Sequence, residues 1–219
     1  MCWNKDISLN TFIFSTMGLL FIYYTNNYTK YKTKWFNNIY MYLFYFSFIS
    51  IQLVEYFLWQ NINNKEANTF YSKMGLFLII MQPFLYLMSI TDIIHRNQIV
   101  LYYLIVVLIF FIYKYLFDAI IFKTTVAENG HLAWHWLPCR GFDVIFCIAW
   151  IFFFLYKLYF IGDYIFLILY LFILFAIYLY YIKSNTWGSM WCWAANTVMI
   201  YLIIEILLIK PFIEYGSLC

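Results

Sequence analysis

Charge is the scarcest commodity in this chain. Asp, Glu, Lys and Arg together make up 11% of its 219 residues, against roughly 25% in a soluble domain. A water-facing surface cannot be built from that composition, and a free-standing soluble enzyme is excluded. The net charge is +3 and the basic residues are scattered through short segments, so no nucleic-acid partner is expected. Glycine and proline are also sparse, at seven and three residues. No apolar stretch carries G-x-x-x-G, which removes the commonest device for close crossing of membrane helices. The start of the chain lacks a small-residue cleavage site, so the first apolar segment is expected to remain as a span.

What the chain does have is apolar bulk. Hydrophobic residues reach 66% and aromatic residues 26%, and they fall into seven segments, roughly 7–25, 36–60, 73–94, 98–117, 142–161, 164–182 and 189–210. Each is close to the 20 or so apolar residues that a helix needs to cross a bilayer. Strands are excluded because lipid cannot satisfy an open backbone. The expectation is an all-α, single-domain bundle of seven transmembrane helices in the lipid bilayer, with packing carried by interdigitated Phe, Tyr, Leu and Ile. Gly162-Asp163 leaves almost no loop between the fifth and sixth spans, so these form a tight antiparallel hairpin. An odd number of spans puts the termini on opposite sides. The side of the N-terminus, here the N-side, also receives the loops near 61–72, 118–141 and 183–188. The cluster Lys30, Lys32, Lys34 follows the first span on the other side, which predicts an exoplasmic N-terminus and a cytoplasmic C-terminus. Lys114 and Lys157, at span ends, are expected to snorkel. Asn27-Tyr-Thr29 is a glycosylation sequon that this topology places in the cytoplasm, unused.

Several polar groups stand out within the spans, where ionisable residues are costly and mark function. Gln52, Glu55 and Trp59 are three and four residues apart, on one helical face. Gln82-Pro83 lies mid-way along the third span, where proline frees a carbonyl one turn back. Glu205 sits deep in the last span, with Lys210 as a snorkelling partner and Pro211 closing the helix. The last span opens with Trp187-Gly-Ser-Met-Trp191-Cys192-Trp193, and Cys192 shares a face with Asn196.

The longest polar insertion, Asn129-Gly-His131-Leu-Ala-Trp-His135-Trp-Leu-Pro-Cys139-Arg-Gly141, is expected to lie across the N-side mouth. Cys2, Glu55, His131, His135, Cys139 and Cys192 then meet there from four distant pieces of sequence. Two chemistries compete. Cys139 or Cys2 can pair with Cys192 as a disulfide. Alternatively His131 and His135, with Cys192 or Cys2, can hold zinc or another transition metal, a geometry that requires the segment between the histidines to be helical.

The opening Met1-Cys2-Trp3, Gln52-x-x-Glu55-x-x-x-Trp59, Gln82-Pro83 and Ser189-Met-Trp191-Cys192-Trp193 together resemble a family of uncharacterised polytopic membrane proteins of bacteria and giant DNA viruses, which typically begin Met-Cys-Phe. The resemblance follows most of the chain in order, with Trp3 where Phe is usual. It implies that Cys2, Glu55, Trp59 and Cys192 belong together, and it suggests a viral or host-cell membrane as the location. It carries no activity. A retinal protein would need a lysine in mid-membrane on the last span, and Lys210 lies at its end, so no retinal is expected.

Three functions follow as expectations. The first is binding or passage of a small molecule or lipid through a cavity at the N-side mouth, lined by Gln52, Glu55, Trp59, Gln82, Trp191 and Asn196. The second is a membrane-embedded, metal-dependent lipid hydrolase using His131 and His135, with Glu55 as the base. The third is a structural viral membrane protein.

Overall fold

A computed structural model describes residues 4–138 and 141–216. Seven helices are long and apolar enough to cross a membrane, the architecture of a multi-pass bundle: α1 (Lys5–Tyr28), α2 (Ile39–Gln60), α3 (Lys65–Met88), α4 (Ile93–Leu116), α5 (Asp143–Phe160), α6 (Tyr164–Tyr181) and α7 (Trp187–Ile204). A π-helical turn (Glu205–Ile209) and a short α8 (Lys210–Gly216) prolong α7. The 118–141 insertion contains a two-stranded antiparallel hairpin, β1 (Thr124–Val126) and β2 (Leu132–Trp134), with Thr124 opposite Trp134.

Five of the starts are set by Asn or Asp. Asn4, Asn38, Asn64, Asp92 and Asp163 each accept a hydrogen bond from a backbone N–H of the first turn, satisfying donors the helix cannot satisfy itself. This corrects the third span, which begins at Lys65 rather than 73. Hydropathy misses its first two turns, which are polar, but the Asn64 cap holds them helical. Between α5 and α6 the chain turns on Gly162 at φ 76°, a conformation glycine adopts freely.

Helices α1, α2, α3, α5, α6 and α7 each pack on the next, α7 returns to α1, and α2 also reaches α7. Helix α4 lies outside, against α3 and α5. Of the seven, α2 is the most buried and α6 the least, with Leu174 its one buried side chain. Lipid tails are as apolar as leucine, so contact geometry rather than hydrophobic transfer must hold such a ring. Aromatic faces supply it: Phe44 stacks on Tyr86 at 4.5 Å and Trp150 on Phe154 at 5.1 Å, while Trp191 meets Phe48, Phe154 and Tyr170 edge-on. Pairs of this kind contribute about 0.5–1.5 kcal/mol each beyond area burial.

Two further expectations are revised. The helix does not end at Pro211. The π turn, in which the Lys210 N–H reaches the Glu205 carbonyl, widens the coil just before the residue that lacks an N–H, and α8 continues beyond it. The Glu205–Lys210 pair is present, at 3.2 Å. Nor do Lys114 and Lys157 snorkel, for both are buried. Lys114 is held by Asp118 at 2.6 Å and Asp143 at 2.7 Å. The Lys157 ammonium donates to Ser89 Oγ at 2.7 Å and to Met41 Sδ at 3.0 Å, and lies over the Tyr86 ring. A long side chain turns inward when the bundle offers it a carboxylate, a hydroxyl or an aromatic face.

Candidate functional site: a polar cluster beneath a hairpin lid

The hairpin is fastened to the bundle by two asparagines. Asn68 of α3 accepts from Thr124 N and donates to Thr124 O, both at 2.9 Å, so its amide extends the edge of β1. Asn185, just before α7, donates to Trp134 O at 2.7 Å, and Trp134 N returns a bond to Asn185 O. Ser72 and Trp136 Nε1 both reach Thr124 Oγ1. At the tip, Asn129 bonds to Ser184 and Thr186. Strand β1 thus sits on α3 and β2 on α7.

Trp134 and Trp136 stack on each other at 4.6 Å and fill two notches in the helices. A Cβ at Gly188 would lie 2.7 Å from two Trp134 ring atoms, and one at Gly75 would lie 2.9 Å from Trp136. Only glycine lets the indoles seat this deeply. The stacking of Phe57 on Tyr71 and Phe44 on Tyr86 sets the α2–α3 register, and that register puts Gly75 level with Val54 and Glu55. The paired indoles therefore cover the level at which the polar residues of α2 begin.

Below them Gln52, Glu55, Gln82 and Cys192 are all at 0% exposure. They come from α2, α3 and α7. Gln82 and Glu55 both lie near enough to the Cys192 thiol to bear on it. Ser189, also wholly buried, precedes Cys192 by one turn on the same face. The cluster offers a carboxyl group, two amides, a thiol and a hydroxyl in the bundle interior, where each is worth more than in water.

Pro83 explains part of this geometry. Its ring removes the N–H that would bond Ile79 O, and Trp150 Nε1 of α5 donates to that carbonyl instead, at 2.8 Å. Tyr103 of α4 donates to the neighbouring Ile80 O. The proline break thus ties α3 to two helices beside Gln82. Trp150→Phe is expected to destabilise the fold by about 1–2 kcal/mol, because it leaves a carbonyl unsatisfied. Pro83→Ala restores an N–H for Ile79, so the double variant should lose less than Trp150→Phe alone. Unfolding in detergent across the four-member cycle measures this, and strictly additive losses would sink the assignment.

The remaining predicted residues are dispersed. Trp191 is buried against Phe48 and Phe154, adjoining the cluster, and Trp59 is half-buried one turn above Glu55. Asn196 donates to Cys192 O but lines a groove between α1 and α7, separate from Glu55. His131 is buried, edge-on to Tyr181, while His135 is exposed and bonded to Thr125 at 2.8 Å. The intervening segment is a strand and not a helix, so roughly 13 Å of extended backbone separates the two histidines. Among the described residues no three His, Cys, Asp or Glu side chains come together as metal ligands. Cys192 is a buried free thiol. Cys2 and Cys139, named above for a metal or a disulfide, lie outside the described residues.

Sequence reading missed Asn68, Asn185, Gly75 and Gly188, although Gly188 stands inside the Trp-rich motif. A glycine among bulky aromatics, in a chain with only seven, was the available signal. The fold defines a multi-pass seven-helix membrane class. A scan against protein-family models and searches of curated proteins and of solved structures each found no match.

Proposed function

We propose that this protein binds, or passes, a small molecule or lipid at the Glu55 cluster, with the hairpin as its lid. The observation that carries the reading is the burial of Gln52, Glu55, Gln82 and Cys192 from three helices at zero exposure beneath a separately fastened hairpin. Such groups are expensive in a membrane interior and serve ligand or ion pathways by default. The N-side is read as exoplasmic, on the strength of Lys30, Lys32 and Lys34. Lys30, on the side opposite the N-terminus, pairs with Glu214, whose carboxylate raises the ammonium pKa above its ordinary value. Glycosylation at Asn27 would overturn that orientation.

Native mass spectrometry of the detergent-purified protein tests the site. The parent is expected to retain a small-molecule adduct that Glu55→Gln loses, at an unchanged unfolding temperature. An adduct retained equally by both would remove Glu55 from the site.

A further inference from the structure

A second polar recess lies on the opposite flank of α7. Helices α1 and α7 approach closely where Gly18 faces Ile203, with a Cβ at Gly18 only 3.2 Å from Ile203 Cδ1. On the N-side of that contact they separate, leaving a groove of about 300 Å³. Its rim is exposed, at Asn10, Phe14 and Thr197, and its floor holds Ser15 and Asn196 at 0% and 5% exposure.

Ser15 Oγ and Asn196 Oδ1 have no hydrogen-bond partner among the described residues. The other end of the Asn196 amide is engaged, donating to Cys192 O at 2.8 Å, which aims Oδ1 away from the helix that holds it. A buried acceptor in hydrocarbon without a donor is costly, so the groove is built for a ligand that brings one. Ser15 lies ten residues into α1, about 15 Å along its axis, well below the membrane surface. Among the described residues no acidic or basic side chain lines the groove, and a charged headgroup at that depth would have no counter-charge there. Both oxygens lie buried behind the rim.

We propose that this groove binds a neutral lipid bearing a free hydroxyl, of the diacylglycerol or long-chain alcohol class, from the N-side leaflet. The hydroxyl donates to Asn196 Oδ1 and accepts from Ser15 Oγ, and the chain lies along Phe14 and Ile200. The site does not depend on the reading of the Glu55 cluster. The two sites are linked through one turn of α7, because Asn196 holds the carbonyl of the residue that carries the cluster's thiol.

Binding of 1,2-dioctanoylglycerol to the full-length protein in detergent, measured by native mass spectrometry beside its 3-O-methyl ether, tests the proposal. The ether lacks the donor and is expected to bind about tenfold more weakly. Asn196→Leu should bring the alcohol down to the level of the ether and leave the ether unchanged. His135→Ala, on an exposed residue of the hairpin away from the groove, should alter neither. Equal binding of alcohol and ether by the parent would overturn the proposal without recourse to any variant. A variant that shifted the monomer–dimer ratio and left glycerolipid binding intact would also overturn it, making the groove a contact between copies.

Discussion

Replacing Lys114 by methionine is expected to destabilise the bundle by about 3–5 kcal/mol, the usual result of removing one partner from a buried ion pair. The ammonium is 6% exposed and sits between Asp118 and Asp143, joining the last turn of α4 to the first turn of α5. Both charges suit the helix ends they occupy, a cation at a C-terminus and an anion at an N-terminus. Methionine fills the space of the lysine stem but leaves Asp143, 4% exposed, with a buried charge. Asp143→Asn should cost less, because Lys114 keeps Asp118, which is largely exposed and hydrated. The double variant Lys114→Met/Asp143→Leu removes both charges and should recover most of the loss. Chemical unfolding in detergent gives these values. A loss for Lys114→Met no larger than the roughly 1 kcal/mol of a surface pair would show that α4 is not anchored here.

The second large effect is expected at Gly188. An added Cβ already meets two ring atoms of Trp134 at 2.7 Å, and neither the stacked Trp136 nor the Asn185 bonds leave that indole room to retreat. Gly188→Leu should cost towards the upper end of the roughly 1–3 kcal/mol typical of overpacking, and it should unseat β2. The informative readout is chemical. Cys192 is wholly buried one turn further along α7, so peptide mapping after treatment with a small alkylating reagent should show it protected in the parent and modified in the variant. Gly75→Ala, beside Trp136, should act in the same direction with a smaller amplitude. A Cys192 that stayed protected in Gly188→Leu would mean that the hairpin does not close the cluster.

These two sites show where sequence was sufficient and where it failed. Seven spans were legible because apolar run length is a local property, and most boundaries fall within a few residues of the helices seen. The start of α3 was not legible, since Lys65–Ser72 is polar and is helical because Asn64 caps it and Asn68 has a strand to hold. Glu55, Gln52 and Gln82 stood out as polar groups in apolar runs. The grouping of Gln82 with Cys192 was not legible, because it depends on how α3 and α7 are each placed around α2, and no spacing encodes that. Asn196 was placed with Glu55 because it shares a helical face with Cys192, yet the neighbour of that face changes from α2 to α1 within one turn. Trp150 could not be matched to the Ile79 carbonyl that Pro83 frees, across 71 residues. The histidines misled because H-x-x-x-H forms one face only in a helix, and Thr124–Val126 is available to pair the segment as a strand.

The ring closes on its last member, since α7 packs on α1 and α2 and supplies both the Asn185 anchor and the Gly188 notch. During synthesis the hairpin therefore emerges some fifty residues before the surface that receives it, and Glu55 enters the membrane earlier still. Until the final span is inserted, neither Trp134 nor Cys192 has its place. A chain cut short anywhere before Trp187 lacks the α7 contacts and the Gly188 notch, and leaves Trp134 without its seat.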